Sequence, residues 1–168
     1  ATTGDGTTVP LAPQEELVEI LRAATDIAKE LRDTEQAELL GRVSEVITRL
    51  GADFGVRNLQ RAELKGNAHL PVWKGGSGRV NFGGLTPGER LRLRVALIVG
   101  LLEVGEASQA GRHPHLLIID DITGHEVAPE DAIRMARALA QVPNLQVICA
   151  STYGPELTSA LAPGSVVM

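Results

Sequence analysis

The chain has 168 residues, 43% of them apolar and 22% charged, which is enough for one domain with a sizeable core. A net charge of −5 and an aromatic content of 2% argue against a protein that binds nucleic acid through overall charge or base stacking. A single cysteine excludes a disulfide scaffold, and no apolar run reaches the roughly 20 residues that cross a bilayer. We therefore expect a cytoplasmic protein without a membrane partner.

The first predicted elements are a tail and a helical segment. Residues 1–13 are rich in Thr, Gly and Pro and are expected to be a flexible tail or linker. Residues 14–51 carry apolar side chains at helical steps, with a lapse at 33–38 that fits either two helices or one helix with a stutter. Gly51 is expected to cap the helix in the left-handed conformation. The segment is either an amphipathic helix on a core or the root of a longer coiled coil.

Residues 52–168 are predicted to form a separate lobe that begins with an antiparallel meander. Glycine-rich turns separate three short strand patterns, because glycine accepts the positive φ angles of tight turns. The predicted strands are 59–64, 68–74 and 79–82.

Helices and strands alternate in the rest of the lobe. In chain order, the predicted elements are a helix from Pro87, a strand at 116–119, a helix from Pro129, a strand at 145–150, a short helix at 155–161 and a strand from Ser165. The continuous apolar runs predict strands buried on both faces, and the alternation predicts an α/β fold with one parallel sheet. The apolar face of the helix from Pro87 is expected to consist of Leu91, Val95, Ile98 and Leu102.

Two adjacent acids, Asp120 and Asp121, directly follow the strand at 116–119. A carboxylate at the carboxyl end of a buried parallel strand lies where α/β folds bind ligands. Four apolar residues followed by an acid are typical of a Walker B motif, in which the first acid holds Mg²⁺ and a second acid can orient or deprotonate the attacking water. The alternative is a helix N-cap or a solvated strand end.

Polar residues with hydroxyl groups lie at two further positions. Thr86 begins the sequence Thr-Pro-Gly-Glu at a helix N-terminus, where a hydroxyl and free backbone N–H groups form an anion site. The alternative is an ordinary helix start in which Thr86 is the N-cap and Glu89 favours the helix dipole. Ser151 and Thr152 follow the strand at 145–150, where they can reach a phosphate or cap the next helix. The helix that begins at Pro87 also carries Arg90, Arg92 and Arg94. These arginines either contact phosphate or DNA or are solvated.

Together, these motifs resemble the C-terminal lobe of an ABC-type ATPase head of the structural-maintenance-of-chromosomes (SMC) family and its DNA-repair relatives. The segment from Leu85 to Arg90 resembles the signature motif, 116–121 resembles Walker B, and Ser151-Thr152 falls at the switch position. The resemblance covers residues 40–168. It implies a parallel-sheet P-loop NTPase half-domain, an antiparallel β meander and N-terminal helices that form a coiled-coil root.

The resemblance also implies a mechanism, in which two heads enclose two ATP molecules. Asp120 would hold Mg²⁺ through water, Asp121 would position the attacking water, and Ser151 or Thr152 would sense the γ-phosphate. The signature residues would contact the nucleotide of the other head in trans, and they are Thr86, Pro87, Gly88 and Glu89. The implied partners are an N-terminal ATPase lobe of the same or another chain, a second head, and DNA through the assembled complex.

The nucleotide cradle is not part of this sequence. A P-loop needs a lysine followed by Ser or Thr, whereas Lys29 precedes Glu, and Lys65 and Lys74 precede Gly. In the family this loop belongs to the N-terminal lobe, so we expect ATP and Mg²⁺ to bind only when such a lobe is present. The chain is then a C-terminal part of a longer protein or pairs with a second polypeptide.

Three departures from the family pattern leave a second function open. Pro87 removes a backbone donor, Asp121 is one methylene shorter than the family's glutamate, and the switch histidine is absent. These differences favour a catalytically weak or inactive scaffold module in a DNA repair, segregation or defence complex. A third interpretation is an unrelated α/β enzyme that binds Mg²⁺ through Asp120 and Asp121.

Overall fold

The computed structural model of the protein describes residues 12–108, 114–120, 122, 127–151 and 157. Most of the predicted tail, and the predicted helix at 155–161 and strand from Ser165, lie outside these residues apart from a helical position at Leu157. The chain divides into two compact units, Ala1–Glu38 and Leu39–Met168.

A single helix, α1, runs from Ala12 to Asp53. It continues unbroken through residues 33–38, so one helix is observed where the sequence left one or two helices open. In the first unit, every residue from Glu16 to Glu38 is exposed, including the large aliphatic residues Leu17, Val18, Ile20, Leu21, Ile27 and Leu31. In the second unit, Val43, Ile47 and Leu50 are buried and begin the hydrophobic core.

The predicted cap at Gly51 is wrong, because α1 ends at Asp53 and Gly55 is the left-handed residue, with φ of 85°. Val56 N–H donates to the Gly51 carbonyl at 2.9 Å and Gly55 N–H donates to the Ala52 carbonyl at 2.9 Å, the pattern of a Schellman motif. Gly51 lies within the helix, and a side chain there would not fit, since a Cβ would lie 2.6 Å from the Leu59 Cδ2 atom.

The meander is present as a three-stranded antiparallel sheet in the order β1 (Leu59–Ala62), β2 (Val72–Lys74) and β3 (Gly78–Val80). Its strands are shorter than predicted. Ala68 adopts a positive φ of 59° between β1 and β2, which is incompatible with an extended strand. A 3-10 turn, Phe82–Gly84, follows β3 and leads into the next helix.

The α/β half contains α2 (Pro87–Ala107), β4 (Leu116–Ile119), α3 (Pro129–Leu139) and β5 (Gln146–Cys149). The predicted parallel pairing is confirmed for β4 and β5, with Leu116 opposite Gln146 and Ile119 opposite Cys149. None of the helices within the described parts of the chain is long and apolar enough to cross a membrane.

Strand β4 is buried on one face only and no residue of β5 is buried, which corrects the prediction of strands buried on both faces. Leu117 and Ile119 belong to the core, whereas Leu116 is exposed and Ile118 keeps 67% of its surface. On β5, Ile148 is 44% exposed. An apolar strand sequence predicts burial of both faces, and among the described residues only one face of β4 is buried.

The buried face of α2 is only partly the predicted one. Val95 is buried as predicted, whereas Ile98 is exposed and Leu91 and Leu102 are half-buried. The other buried positions include Arg92, Leu93 and Val99. A Cβ at Gly100 would lie 3.5 Å from the Val43 carbonyl oxygen, so the absence of a side chain there lets α1 pack closely against α2.

We expect Gly55→Ala to destabilise the protein by about 1–3 kcal/mol, because φ is positive and the new Cβ would lie 2.9 Å from side-chain atoms of Asp131 and Arg134. The control is Gly41→Ala, at a helical site with open space, where a gain of about 0.5–1 kcal/mol is expected. Urea unfolding measures both variants. Equal changes in the two would contradict the assignment of the cap.

Candidate functional site

Asp120 and Ser151 lie at the carboxyl ends of adjacent parallel strands. Asp120 directly follows β4, and Ser151 comes two residues after the end of β5. The ladder continues past both strands, since Ala150 N–H donates to the Ile119 carbonyl at 3.0 Å and Ile122 N–H donates to the Ala150 carbonyl at 3.0 Å. Asp120 is exposed and Ser151 is half-buried. The fold thus brings a carboxylate and a hydroxyl to one sheet edge.

Asp121 and Thr152 lie outside the described residues, so their roles stay predictions. Among the residues that the structure describes, no group of three or more His, Cys, Asp or Glu side chains could hold a metal ion. Mg²⁺ commonly binds to proteins through one or two carboxylates while water and substrate phosphates supply its other oxygens. Asp120, as an exposed carboxylate at the same sheet edge as Ser151, fits this mode.

Thr86 is the N-cap of α2 and forms a capping box with Glu89. The Thr86 hydroxyl oxygen accepts from Glu89 N–H at 3.3 Å, and a Glu89 carboxylate oxygen accepts from Thr86 N–H at 3.2 Å. Thr86 and Pro87 are exposed, whereas Gly88 and Glu89 are buried. A hydroxyl that accepts one hydrogen bond keeps its own hydrogen for donation. The helix start therefore holds the Thr86 oxygen in place and leaves a donor at the surface.

Glu89 has its partners inside the chain. Its side chain is almost fully buried and its Oε1 atom lies 2.6 Å from the Nζ atom of Lys74, the last residue of β2. Burial of the Glu89 carboxyl acts to raise its pKa, but hydrogen bonds from Lys74 and Thr86 outweigh this effect and hold the pKa below its ordinary value. Glu89 therefore stabilises the turn from within, and its carboxylate is not at the surface.

A buried arginine ties the turn to two other helices. Arg92, 5% exposed, donates from Nε to the Gly88 carbonyl at 3.0 Å and from Nη1 to the Gly55 carbonyl at 2.8 Å, just beyond the end of α1. Its Nη1 atom also lies 2.9 Å from the Asp131 Oδ2 atom in the first turn of α3. The contact with Gly55 places the cation just beyond the C-terminal end of α1, and the Asp131 carboxylate lies at the N-terminus of α3; helix dipoles favour both positions.

The sequence did not single out Lys74 or the burial of Arg92. The signal for Arg92 was its spacing: it precedes Val95, Ala96 and Val99 by three, four and seven positions and so shares their helix face. Lys74 gave no such signal, because its partner Glu89 is brought to it only by the tertiary fold.

A recess of about 1060 Å³ lies away from the sheet edge, between the ends of α1 and α2 and the residues of and after α3. Its rim includes the ion pair of Arg49 with Glu103, whose atoms are 2.9 Å apart. None of the candidate site residues that the structure describes lines it.

No protein-family model matches the sequence, and comparison with curated proteins gives no match. Solved structures do match. One comes from work on ATP-driven dimerization and DNA-stimulated activation of SMC ATPases; it is 12% identical over 76% of this chain and 77% of that chain, with a TM-score of 0.58. The chain has the fold of SMC head domains.

Two further SMC head domains agree with this fold. A head bound to the C-winged helix domain of ScpA is 12% identical over 72% of this chain, with a TM-score of 0.54. A Pyrococcus furiosus Smc head with an extended coiled coil, bound to the C-terminal domain of ScpA, is 13% identical over 89% of this chain, with a TM-score of 0.57. The chain spans only 37% and 36% of these two SMC heads.

The lowered pKa of Glu89 predicts acid sensitivity. A carboxylate whose pKa is depressed in the folded state stabilises the fold above its unfolded value, here 4.5, and this stabilisation is lost as the pH falls through the folded value. We expect Glu89→Gln to show a smaller loss of unfolding free energy below about pH 4.5 than the parent protein. Urea unfolding as a function of pH measures this, with Glu45→Gln on the exposed surface of α1 as the control. Parallel pH profiles for all three proteins would show that Glu89 does not contribute.

Proposed function

We propose that the chain is the C-terminal lobe, with signature and Walker B motifs, of an SMC-like ATPase that hydrolyses ATP at the interface between two heads. The observation that supports this most is the parallel pairing of β4 with β5, because it brings Asp120 and Ser151 to one sheet edge. In α/β folds this edge is the one at which ligands bind. The SMC-head fold of the chain and the exposed Thr86 hydroxyl at the start of α2 are consistent with this role.

The sheet edge would provide the residues that act on this chain's own nucleotide. Asp120 would bind Mg²⁺ through its water shell, and Mg²⁺ would neutralise charge on the ATP phosphates. Asp121 would accept a hydrogen bond from the attacking water and orient it. Ser151 or Thr152 would donate a hydroxyl hydrogen to the γ-phosphate. Each of these roles uses a side-chain oxygen atom of a residue that follows β4 or β5 in the sequence.

The Thr86 turn would act in trans on the nucleotide of a second head. Its hydroxyl hydrogen and the positive end of the α2 dipole favour a phosphate oxygen. Pro87 has no N–H to add, so the backbone contribution falls to Gly88. Glu89 would act indirectly, because its carboxylate accepts from Thr86 N–H and pairs with Lys74 inside the chain.

The N-terminal lobe would provide the triphosphate cradle and cover the open sheet face. The three lysines of the sequence lack the P-loop context, so the phosphates need a second source of backbone donors. The exposed apolar face of β4 and β5, made by Leu116, Ile118 and Ile148, is a surface that such a lobe would bury.

The part of α1 that belongs to the first unit would pair with another helix as a coiled-coil root. Its exposed aliphatic residues recur at steps of three and four, which is typical of a helix that buries a stripe against a partner helix. DNA would then be a partner of the assembled heads and arms rather than of this acidic chain alone.

A second candidate function is a scaffold module of the same fold with little or no hydrolysis. Pro87 and the short side chain of Asp121 favour it, since each removes part of the catalytic equipment expected in the family. ATP-dependent dimerisation with little or no phosphate release would favour this alternative, whereas sustained turnover that Asp121→Asn abolishes would exclude it.

The proposed trans arrangement predicts a specific complementation in a complete head, made by combining this chain with its N-terminal lobe. We expect Asp121→Asn and Thr86→Arg each to lower kcat on the order of 100-fold, because water orientation and phosphate stabilisation act in the transition state. Mixing the two variants should restore about a quarter of the activity, since half of the symmetric dimers are mixed and each has one intact site.

The control is Ser77→Arg in the exposed turn between β2 and β3, which should leave phosphate release unchanged. Unchanged turnover in both Asp121→Asn and Thr86→Arg would rule out the ATPase proposal. If both variants were inactive and mixing restored no activity, the result would contradict the trans role of Thr86. The proposal that the complete head hydrolyses ATP would still stand.

The uncovered sheet face predicts where the N-terminal lobe binds. Ile118→Glu should weaken association with that lobe by at least about tenfold, because a carboxylate would be buried in an apolar interface. Ile98→Glu on the exposed surface of α2 is the matched control. Co-elution and calorimetry measure the affinities, and equal binding by both variants would argue that the lobe covers another surface.

A further inference from the structure

Lys74 is a lysine that the proposed chemistry does not use, yet it is largely buried. It is the last residue of β2, its side chain is 18% exposed, and its Nζ atom lies 2.6 Å from the Oε1 atom of Glu89, whose side chain is 7% exposed. A lysine is costly to remove from water unless a carboxylate compensates its charge. The pair therefore fixes both side chains in one arrangement.

Glu89 passes this constraint to Thr86. One carboxylate oxygen accepts from Lys74, and the other accepts from Thr86 N–H at 3.2 Å. In return, Glu89 N–H donates to the Thr86 hydroxyl oxygen at 3.3 Å. Because each carboxylate oxygen of Glu89 accepts a hydrogen bond, one from Lys74 and one from Thr86, the two contacts together fix the rotamer of Glu89. The Lys74 ammonium is thus one side chain away from the exposed hydroxyl.

The sheet holds Lys74 firmly. β2 is the central strand of the meander, and Lys74 is paired with Leu59 on β1, beside a register shift between Leu59 and Arg61, and with Gly78 on β3. Gly75 N–H, next along the chain, donates to the Asn58 carbonyl at 2.8 Å. A residue that is paired on both sides has little freedom to follow a moving partner, so the sheet sets the position and Glu89 adapts to it.

We propose that Lys74 is a positioning residue, which through Glu89 orients the Thr86 hydroxyl for its contact with the nucleotide of the second head. This inference rests on the proposed function, and it gives the meander a task that the sequence did not assign. A purely structural role would differ in one respect: loss of Lys74 would then affect the whole head rather than the trans-acting turn.

The test uses the complete head with Lys74→Met, which keeps the aliphatic stem and removes the charge. We expect kcat to fall at least about tenfold with KM for ATP unchanged, because the nucleotide is cradled elsewhere and only the transition-state contact is displaced. Lys74→Arg keeps the charge and should restore part of kcat. Lys65→Met is the control, since Lys65 also pairs with a glutamate, Glu63, but at the surface.

Mixing separates positioning from a general loss of structure. Lys74→Met heads mixed with Asp121→Asn heads should regain activity, as Thr86→Arg heads do, because each variant spoils the same composite site of the mixed dimer. Failure to regain activity would overturn the inference. If Thr86→Arg heads remained fully active, the proposed trans role of Thr86 would fail first, whereas inactive Thr86→Arg with fully active Lys74→Met would remove only the role of Lys74.

A second measurement needs no ATPase activity and uses the chain alone. Hydrogen exchange at the Glu89 amide should accelerate several-fold in Lys74→Met, because the unpaired carboxylate leaves the capping box. The double variant Lys74→Met with Glu89→Gln should regain protection, since glutamine keeps the capping hydrogen bond without a buried charge. Unchanged exchange in Lys74→Met, or no recovery in the double variant, would contradict the proposed linkage.

Discussion

The buried guanidinium of Arg92 is the contact on which the arrangement of the second unit depends. It satisfies carbonyl oxygens beyond the end of α1, a carbonyl in the first turn of α2 and the Asp131 carboxylate in the first turn of α3. A planar cation with five donors suits this task, because several acceptors from different elements can be bound at once. Removal of the cation would take this partner from the Asp131 carboxylate and from the Gly55 carbonyl.

Two buried cations act on the same short segment of chain. Lys74 binds the carboxylate of Glu89, and Arg92 binds the carbonyl of Gly88, so the turn that begins α2 is held through both a side chain and the backbone. The exposed part of this turn is small, namely Thr86 and Pro87. Rigid support behind a small exposed surface is the arrangement expected of a group that must meet a phosphate in a defined position.

Local pattern was sufficient for the order and type of most elements, because apolar periodicity, glycine turns and Pro at helix starts are properties of short segments. The N-cap at Thr86 was the alternative interpretation of the local sequence, whereas the hydrogen bond from Thr86 N–H to the Glu89 carboxylate was found only in the structure. The partners of Arg92 and the role of Lys74 could not be read in this way, since both depend on acceptors brought from other elements. The same limit explains Gly51, whose environment is set by side chains distant in the sequence.

The half-covered sheet has a consequence for how the protein is made. Strands that present Leu116, Ile118 and Ile148 to water will adhere to any apolar surface, including another copy of themselves, until the proper cover arrives. If the cover is the N-terminal lobe proposed above and belongs to the same polypeptide, it would arrive at an effective concentration that can reach the millimolar range, far above that of a free subunit. Folding yield would then be governed by the tether between the two lobes and by which lobe leaves the ribosome first.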